Sequence, residues 1–182
     1  MRFKTTRAVY GLIGVILAAF VAGLVTVVAT TPATAPTGQS AAASLIQPVV
    51  ALVVLTGIVW LLMVVYRNVA LVRGAVSPRY FRSYAADEPA EWVERPARAY
   101  MNLLELPVLF YAVCLLMLTT RGFDSIQVSL AWVFVIVRYL HACIHIGFNY
   151  VPLRFAAFVA GAITLAVIWT RFAEQNLNWH LS

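Results

Sequence analysis

Charged residues are scarce in this chain, and their scarcity excludes an ordinary soluble domain. Only 11% of the 182 residues are Asp, Glu, Lys or Arg, whereas a soluble domain has about 25%. Hydrophobic residues make up 63% of the sequence instead, and runs of about 20 of them are long enough to cross a bilayer as helices. The polar and apolar alternation of a membrane β-barrel is also missing. The sequence therefore predicts an all-α integral membrane protein.

Cysteines are few, and the basic residues form no stripe. Cys114 and Cys143 both lie within apolar runs, so we expect small buried side chains rather than a disulfide framework. The net charge is +6, but the arginines are scattered at the ends of apolar runs and in one loop. A nucleic-acid binder carries its basic residues as a patch or stripe. We therefore predict no nucleic-acid partner, since positive charge at helix ends is typical of membrane orientation.

Five apolar runs are long enough to span a bilayer. The predicted transmembrane helices cover residues 8–29, about 44–66, about 97–119, about 126–147 and about 154–172. The stretch TTPATAPTGQSAAA between the first two has no charge and is rich in Pro, Thr and Ala, which favours an extended surface linker. The predicted organisation is an N-terminal anchor over 1–30, a linker over 31–43, a four-helix domain over 44–175 and a C-terminal tail over 176–182.

The first span has two interpretations, and the loops give an orientation. A basic start, an apolar stretch and the small residues at 27–29 also describe a secretory signal. The apolar stretch is long for a signal, so a retained anchor is favoured. The loop over about 67–96 carries five arginines, whereas the loop between the third and fourth spans carries one. The positive-inside rule then places the N-terminus and the 67–96 loop in the cytoplasm and the C-terminus outside.

Polar residues recur on one face of the third and fourth predicted spans. Residues three, four and seven apart share a helix face. This spacing joins Arg98, Asn102 and Glu105 in the third span, and Arg138, His141, His145 and Asn149 in the fourth. Because a charge at membrane depth is costly unless it is paired or wetted, the two sets are expected to face each other or a cavity. Glu105 and Arg138 are the expected ion pair.

Pro107 predicts a bend in the third span beside Glu105. It cannot donate a hydrogen bond to the carbonyl of Leu103, and its ring crowds that turn. The bend opens room for a ligand, but an internal ion pair that only fixes helix register explains the same residues. The histidines at 141 and 145 are one turn apart, yet no third metal ligand is evident. We therefore predict no metal and expect both histidines to form hydrogen bonds.

Four arginines near the cytoplasmic helix ends favour the ligand pocket over the simple ion pair. Arg67, Arg98, Arg138 and Arg154 outnumber the one carboxylate of Glu105 in the predicted spans. The planar guanidinium pairs carboxylates in bidentate fashion. The implied ligand is a small anion with more than one carboxylate.

The stretches ARAYMNLLELPVLF (97–110) and VRYLHACIHIGFNYVPLRFAAF (137–158) resemble the MAPEG superfamily, the membrane-associated proteins in eicosanoid and glutathione metabolism, and its small bacterial members in particular. The resemblance extends over about residues 45–173. It implies a four-helix transmembrane bundle in a bacterial inner membrane, assembled as a homotrimer, with glutathione as cosubstrate between neighbouring subunits. In that family the N-terminus lies outside, which agrees with the orientation above once the first span is counted as an addition.

The resemblance also implies roles for individual residues. Arg98, Asn102, Glu105, Arg138 and His141 match the glutathione-binding residues, Arg67 is a looser match, and Arg154 matches the arginine that holds the thiolate. Two departures are Phe155 and Phe158, which replace a serine and a tyrosine whose hydroxyls lie near the thiol. The implied function is a glutathione-dependent transferase or peroxidase that acts on lipophilic electrophiles or hydroperoxides. The alternative is a non-catalytic accessory subunit of a larger membrane complex, which the added first span favours.

Overall fold

The computed structural model of the protein describes residues 2–34, 39–83 and 89–177. Within them lie seven helices: α1 (Arg2–Thr30), α2 (Gln39–Val72), α3 (Pro78–Ser83), α4 (Glu91–Leu103), α5 (Leu106–Thr120), α6 (Ser125–Ile146) and α7 (Val151–Asn176). No strand occurs in the described part of the chain. Five segments are long and apolar enough to cross a membrane, with α4 and α5 forming one of them. The predicted all-α membrane class is confirmed. Of the predicted linker over 31–43, residues 35–38 lie outside the described residues, and residues 39–43 are helical because α2 already begins at Gln39. Most of the predicted tail also lies outside the described residues.

The core lies between α2 and the four helices from α4 to α7. Phe110 on α5 and Phe134 on α6 stack at its centre, with ring centroids 4.7 Å apart and an interplanar angle of 17°. Because lipid is as apolar as these side chains, close packing rather than the hydrophobic effect holds the helices together. Helix α1 packs at the edge against α6 and α7, and few of its described side chains are buried. It is therefore peripheral to the bundle.

The third span is broken beside Pro107, which confirms the predicted bend. Helix α4 ends at Leu103, and α5 begins two residues later with Pro107 in its first turn. Since Pro107 has no N–H, the carbonyl of Leu103 has no α-helical donor four residues on. The backbone N–H of Glu105 instead lies 3.4 Å from the carbonyl oxygen of Asn102. The break turns Glu105 away from the α4 axis and leaves the Asn102 carbonyl open to a second donor.

The expectation of two buried cysteines is correct for Cys114 and wrong for Cys143. Both are free thiols, but Cys143 is exposed on α6. The buried face of α6 at this level is made by His141, Ala142 and His145. Because position 143 falls on the other side of the helix, its thiol faces outward. A position inside an apolar run does not show which face of the helix the residue occupies.

Asp124 joins the start of α6 to the end of α7. One oxygen of its carboxylate accepts from the backbone N–H of Gln127 at 3.0 Å, and the side chain of Gln127 accepts from the Asp124 N–H at 2.9 Å, which completes a capping box. The second oxygen accepts from Arg171 and Gln175, each at 2.9 Å. This end of the bundle is thereby fixed, at the opposite end of α6 from the polar residues 138–145.

We expect Asp124→Ala to lower the free energy of unfolding by about 2 to 4 kcal/mol. The lost cap accounts for about 1 kcal/mol, and the remainder comes from leaving the half-buried guanidinium of Arg171 without its carboxylate. Asp124→Asn is the matched control, because it keeps the cap but removes the charge, and it is expected to lose about half as much. Denaturation of the purified protein in detergent measures both. Equal stability of the alanine variant and the parent protein would contradict this role.

Candidate functional site

A cavity of about 320 Å³ opens where α4 and α6 end and α7 begins. Its walls are formed by Arg98, Met101, Asn102 and Glu105 around the end of α4, His141 and His145 on α6, and Val151, Arg154, Phe155 and Phe158 on α7. The volume is at the lower end of the range of about 300–1,000 Å³ for small-molecule sites. Met101 and Phe155 are 64% and 58% exposed, so the cavity is open on their side. Five of the seven predicted site residues line it.

Arg138, the sixth predicted residue, lies behind the cavity wall and holds Asn102. Its side chain is fully buried. Its Nη2 donates to the backbone carbonyl of Asn102 at 2.9 Å and to the side-chain oxygen of Asn102 at 2.5 Å. The break before Pro107 leaves this backbone carbonyl of Asn102 open to a second donor, and Arg138 is that donor. The guanidinium therefore joins α6 to α4 at the point where the third span bends.

The predicted direct ion pair between Glu105 and Arg138 is not formed. The amide of Asn102 lies between them: its oxygen accepts from Arg138, and its nitrogen donates to a carboxylate oxygen of Glu105 at 3.0 Å. The helix break explains the difference, because it moves Glu105 off the face of α4 that meets α6. Since both ends of the amide are engaged by charged groups, its orientation in the wall is fixed.

His141 is a buried imidazole with one ring nitrogen already engaged. Its Nδ1 lies 3.1 Å from the backbone carbonyl of Arg154. A carbonyl oxygen can only accept, so this hydrogen bond places the proton of the neutral ring on Nδ1. The Nε2 atom is then an acceptor, and it has no partner among the described residues. His141 lines the cavity, but its Nε2 atom is itself buried.

Arg154 lies in the first turn of α7, beside His145. Its Nη1 donates to the side-chain oxygen of Asn149 at 2.7 Å and lies 3.5 Å from Nε2 of His145. The unpaired N–H groups of a helix start add partial positive charge at the same place. Arg98 also lines the cavity and forms no hydrogen bond or ion pair within the described ranges. Two guanidinium groups are therefore available to an anion.

Arg67, the seventh predicted residue, lies outside this cavity. Its guanidinium sits over the ring of Phe81 in α3, with 5.3 Å between the guanidinium carbon and the ring centroid. The sequence placed it near the same end of the bundle but did not show which way it faces. In a single chain its contact is a cation–π contact that holds α3 against α2.

Two residues of the site region, Glu91 and Arg95, were missed by the sequence analysis. Glu91 accepts a hydrogen bond from Asn149 at 2.7 Å and pairs with Arg95 at 3.1 Å. The signal was available, because positions 91, 95, 98, 102 and 105 continue the same three-and-four spacing along α4. The predicted span began at residue 97 and cut this polar face in two. Val151 was also missed, since nothing distinguishes it from other apolar residues.

The fold and the cavity define the class: an α-helical integral membrane protein with a cationic, amide- and imidazole-lined cavity at one end of its bundle. The MAPEG family model matches residues 45–173, more than two thirds of the chain. The chain therefore belongs to the MAPEG family. The match excludes α1 and contains every residue of the cavity. No curated protein and no solved structure matches the chain. Family membership indicates a membrane transferase-type function in glutathione or eicosanoid chemistry.

Proposed function

We propose that the protein binds glutathione in this cavity and uses its thiolate to attack a lipophilic electrophile or hydroperoxide. The observation that carries the proposal is that two available guanidinium groups, Arg98 and Arg154, share one cavity with a fixed amide and a carboxylate. Glutathione is a tripeptide with two carboxylates, one ammonium group and one thiol. The cavity wall holds a complementary group for a carboxylate, for the ammonium group and for the thiolate.

The binding roles follow from charge. Arg98 suits a carboxylate of the tripeptide, because its planar fork has no partner of its own within the described ranges. Glu105 has one oxygen engaged by Asn102, which leaves the other for the ammonium group. Asn102 is held rigidly by Arg138 and so presents a preorganised contact. In this arrangement Arg138 does not touch the ligand but fixes a group that does.

Arg154 is proposed to stabilise the thiolate. A neighbouring guanidinium and a helix start both favour the anionic form of sulfur, and the thiolate is the nucleophile. In conjugation the sulfur lone pair forms a bond to the electrophilic carbon, and the leaving group departs with its electron pair. In peroxide reduction the thiolate attacks the outer peroxide oxygen and the O–O bond breaks, which gives a sulfenic acid and an alkoxide. The alkoxide takes up the proton that the thiol released and becomes an alcohol. A second glutathione then reduces the sulfenic acid, forming the disulfide and water.

The apolar part of the wall favours these reactions over isomerisation. Phe155 and Phe158 supply no hydroxyl donor near the sulfur, and Met101 and Val151 extend the apolar surface. A lipophilic substrate dissolved in the bilayer can reach this wall from the open side, while glutathione enters from the aqueous end. The surface proposed to bind the lipophilic substrate thus consists of apolar side chains that are also compatible with contact with lipid.

We further propose that the chain assembles as a homotrimer in a bacterial inner membrane, with its N-terminus in the cytoplasm and its C-terminus outside. The support is the open side of the cavity. Arg98 and Glu105 are exposed there within a membrane span, and charges facing lipid are costly. A neighbouring subunit seated over Met101 and Phe155 would cover them. Cross-linking in native membranes tests this arrangement, and a strictly monomeric protein would contradict it.

Glutathione titration of the purified protein tests the proposed function. We expect saturation between micromolar and millimolar concentrations, and we expect Glu105→Gln to weaken binding by about 10-fold or more, because a hydrogen bond to a charged group contributes about 1.5–3 kcal/mol. Glu174→Gln is the matched control, since Glu174 is an exposed glutamate near the other end of α7. Equal affinity in the Glu105 and Glu174 variants would contradict the role of Glu105.

A second candidate is an accessory subunit of a larger membrane complex. Two observations favour it: α1 lies outside the family match, and the phenylalanines at 155 and 158 leave the cavity without hydroxyl groups. The same titration separates the two candidates. Absence of glutathione binding, together with stable co-purification of other membrane subunits, would support the accessory role and reject the enzymatic one.

A further inference from the structure

We propose that Asn149 is a positioning residue that holds the Arg154 guanidinium at the cavity by joining it to the Glu91–Arg95 ion pair on α4. The inference rests on the proposed function, because the group being positioned is the arginine assigned to the thiolate. It adds a second layer behind the cavity, made by residues that do not line it. It also connects α4 to the turn between α6 and α7 at a point distinct from the Arg138–Asn102 contact.

The side chain of Asn149 uses both ends of its amide. Its oxygen accepts from Nη1 of Arg154 at 2.7 Å, and its nitrogen donates to a carboxylate oxygen of Glu91 at 2.7 Å. Because donor and acceptor are both engaged by charged partners, the amide has one favoured orientation. The amide therefore fixes the guanidinium of Arg154 on α7 relative to the carboxylate of Glu91 on α4. No other side-chain amide in the described part of the chain forms a hydrogen bond with the Arg154 guanidinium.

Glu91 is itself held in place. Arg95, one turn later on α4, binds it through Nε at 3.2 Å and Nη2 at 3.1 Å. The remaining Nη1 of Arg95 donates to the carbonyl of Gly147 at 2.6 Å. Arg95 therefore binds both the Glu91 carboxylate, which Asn149 contacts, and the backbone of the turn between α6 and α7, which contains Asn149. Gly147 is suited to this turn, because a Cβ there would lie 2.9 Å from the carbonyl oxygen of Cys143.

The backbone at Asn149 restricts which residue can do this. Its φ is +48°, in the left-handed region, and its N–H donates to the carbonyl of Ile144 at 2.8 Å to close the end of α6. Glycine, asparagine and aspartate tolerate this conformation best. Of the three, only asparagine both accepts from Arg154 and donates to Glu91. The position therefore has one stereochemical and two hydrogen-bonding requirements that the same residue meets.

The arrangement leaves Arg154 held on one side and open on the other. Both of its polar side-chain contacts, to Asn149 and His145, are made through Nη1. Its Nε and Nη2 donate to no other residue that the structure describes. A guanidinium anchored through a single nitrogen keeps its remaining N–H groups for an anion. Loss of the anchor would free the side chain to rotate away from the sulfur.

Asn149→Gly is the most informative variant, because glycine keeps the left-handed backbone and removes only the amide. We expect the pH midpoint for thiolate formation on bound glutathione to rise by about one unit, and kcat to fall about tenfold, in line with misplacement of a group at a reacting centre. KM for glutathione is expected to change less than threefold. A loss of stability alone would lower the amount of folded protein but would not move the pH midpoint.

Asn149→Asp is the companion variant. It keeps the backbone and the acceptor for Arg154 but turns the donor toward Glu91 into a second carboxylate. Pairing it with Glu91→Gln restores a donor opposite the new carboxylate, so the double variant is expected to recover most of the parent activity. Failure of the double variant to improve on Asn149→Asp would overturn the proposed link between Glu91 and Asn149.

The remaining outcomes separate this inference from the proposed function. A glutathione-binding Asn149→Gly variant with the parent pH midpoint would overturn the positioning role and leave the proposed function standing. If the parent protein binds no glutathione, the proposed function fails, and chemical modification of Arg154 then decides the inference. Faster modification of Arg154 by a dicarbonyl reagent in Asn149→Gly, read by peptide mass spectrometry, would support the anchor, and an unchanged rate would overturn it.

Discussion

Replacing Arg154 with alanine is expected to abolish the thiolate of bound glutathione and to lower kcat/KM by about 10²–10³-fold, the range seen when one preorganised charge-stabilising donor is removed from an active site. The guanidinium lies in the first turn of α7, in the cavity wall. After its removal, the sulfur keeps only the partial charge of the helix start. The tripeptide itself should still bind, because the proposed carboxylate and ammonium contacts are made elsewhere.

Ultraviolet absorbance of the thiolate, recorded on mixing protein with glutathione, measures this effect directly. Arg154→Lys is the graded variant, because it keeps a positive charge without the planar fork, and it is expected to retain part of the signal. Arg73→Ala is the matched control, since Arg73 is exposed at the end of α2 and outside the cavity. An unchanged thiolate signal in Arg154→Ala would remove Arg154 from the chemistry.

Replacing Arg138 with methionine is expected to weaken glutathione binding by about 100-fold. The side-chain oxygen and the backbone carbonyl of Asn102 would each lose a hydrogen bond from Nη2, and a buried acceptor left without a donor costs about 1–3 kcal/mol. The amide can then turn to seek water, so it no longer orients Glu105. Stability should change less than binding, because replacing a buried charge with an apolar side chain of similar size offsets much of the lost hydrogen bonding.

Comparing the double variant with the two single variants shows whether Arg138 acts on glutathione binding through Asn102 or independently of it. If Arg138 acts through Asn102, the Arg138→Met/Asn102→Leu double variant should bind glutathione no more weakly than the worse of the two single variants, since coupled residues are non-additive. Additive losses in the binding free energy would show that the two residues act separately. Isothermal titration of all four proteins in the same detergent supplies the comparison.

The fold class was predictable because the bilayer imposes it. Five apolar runs gave the number of spans, and the missing N–H of Pro107 gave the position of the break. Helix lengths were less predictable: α2 extends from Gln39 to Val72, beyond the 44–66 of its apolar run. Polar residues such as Arg67 and Asn68 continue the helix, because a helix need not end where the hydrocarbon does. Whether Cys143 is exposed depends on which helices pack around α6. A run of apolar residues does not specify those packing partners.

The candidate site was predictable in its members but not in its contacts. Helical spacing selected Arg98, Asn102 and Glu105, and the structure brings them to one cavity with residues of α6 and α7. The spacing did not show that the bend would insert an amide between Glu105 and Arg138. Which hydrogen bonds form depends on distances of a few tenths of an ångström between separate helices. Such distances are set by how the helices pack, and they cannot be derived from the sequence periodicity of a single helix.

Comparison of glutathione with its diethyl ester is the most direct test of the central claim that this cavity binds the tripeptide through its negative charges. The ester keeps the peptide backbone, the ammonium group and the thiol, but it lacks both carboxylates and carries two ethyl groups in their place. Because each charge-assisted hydrogen bond contributes about 1.5–3 kcal/mol, we expect the ester to bind about 100-fold more weakly or worse in an isothermal titration of the parent protein. Equal affinities for the two compounds would contradict the account, because they would show that Arg98 does not recognise a carboxylate of the tripeptide.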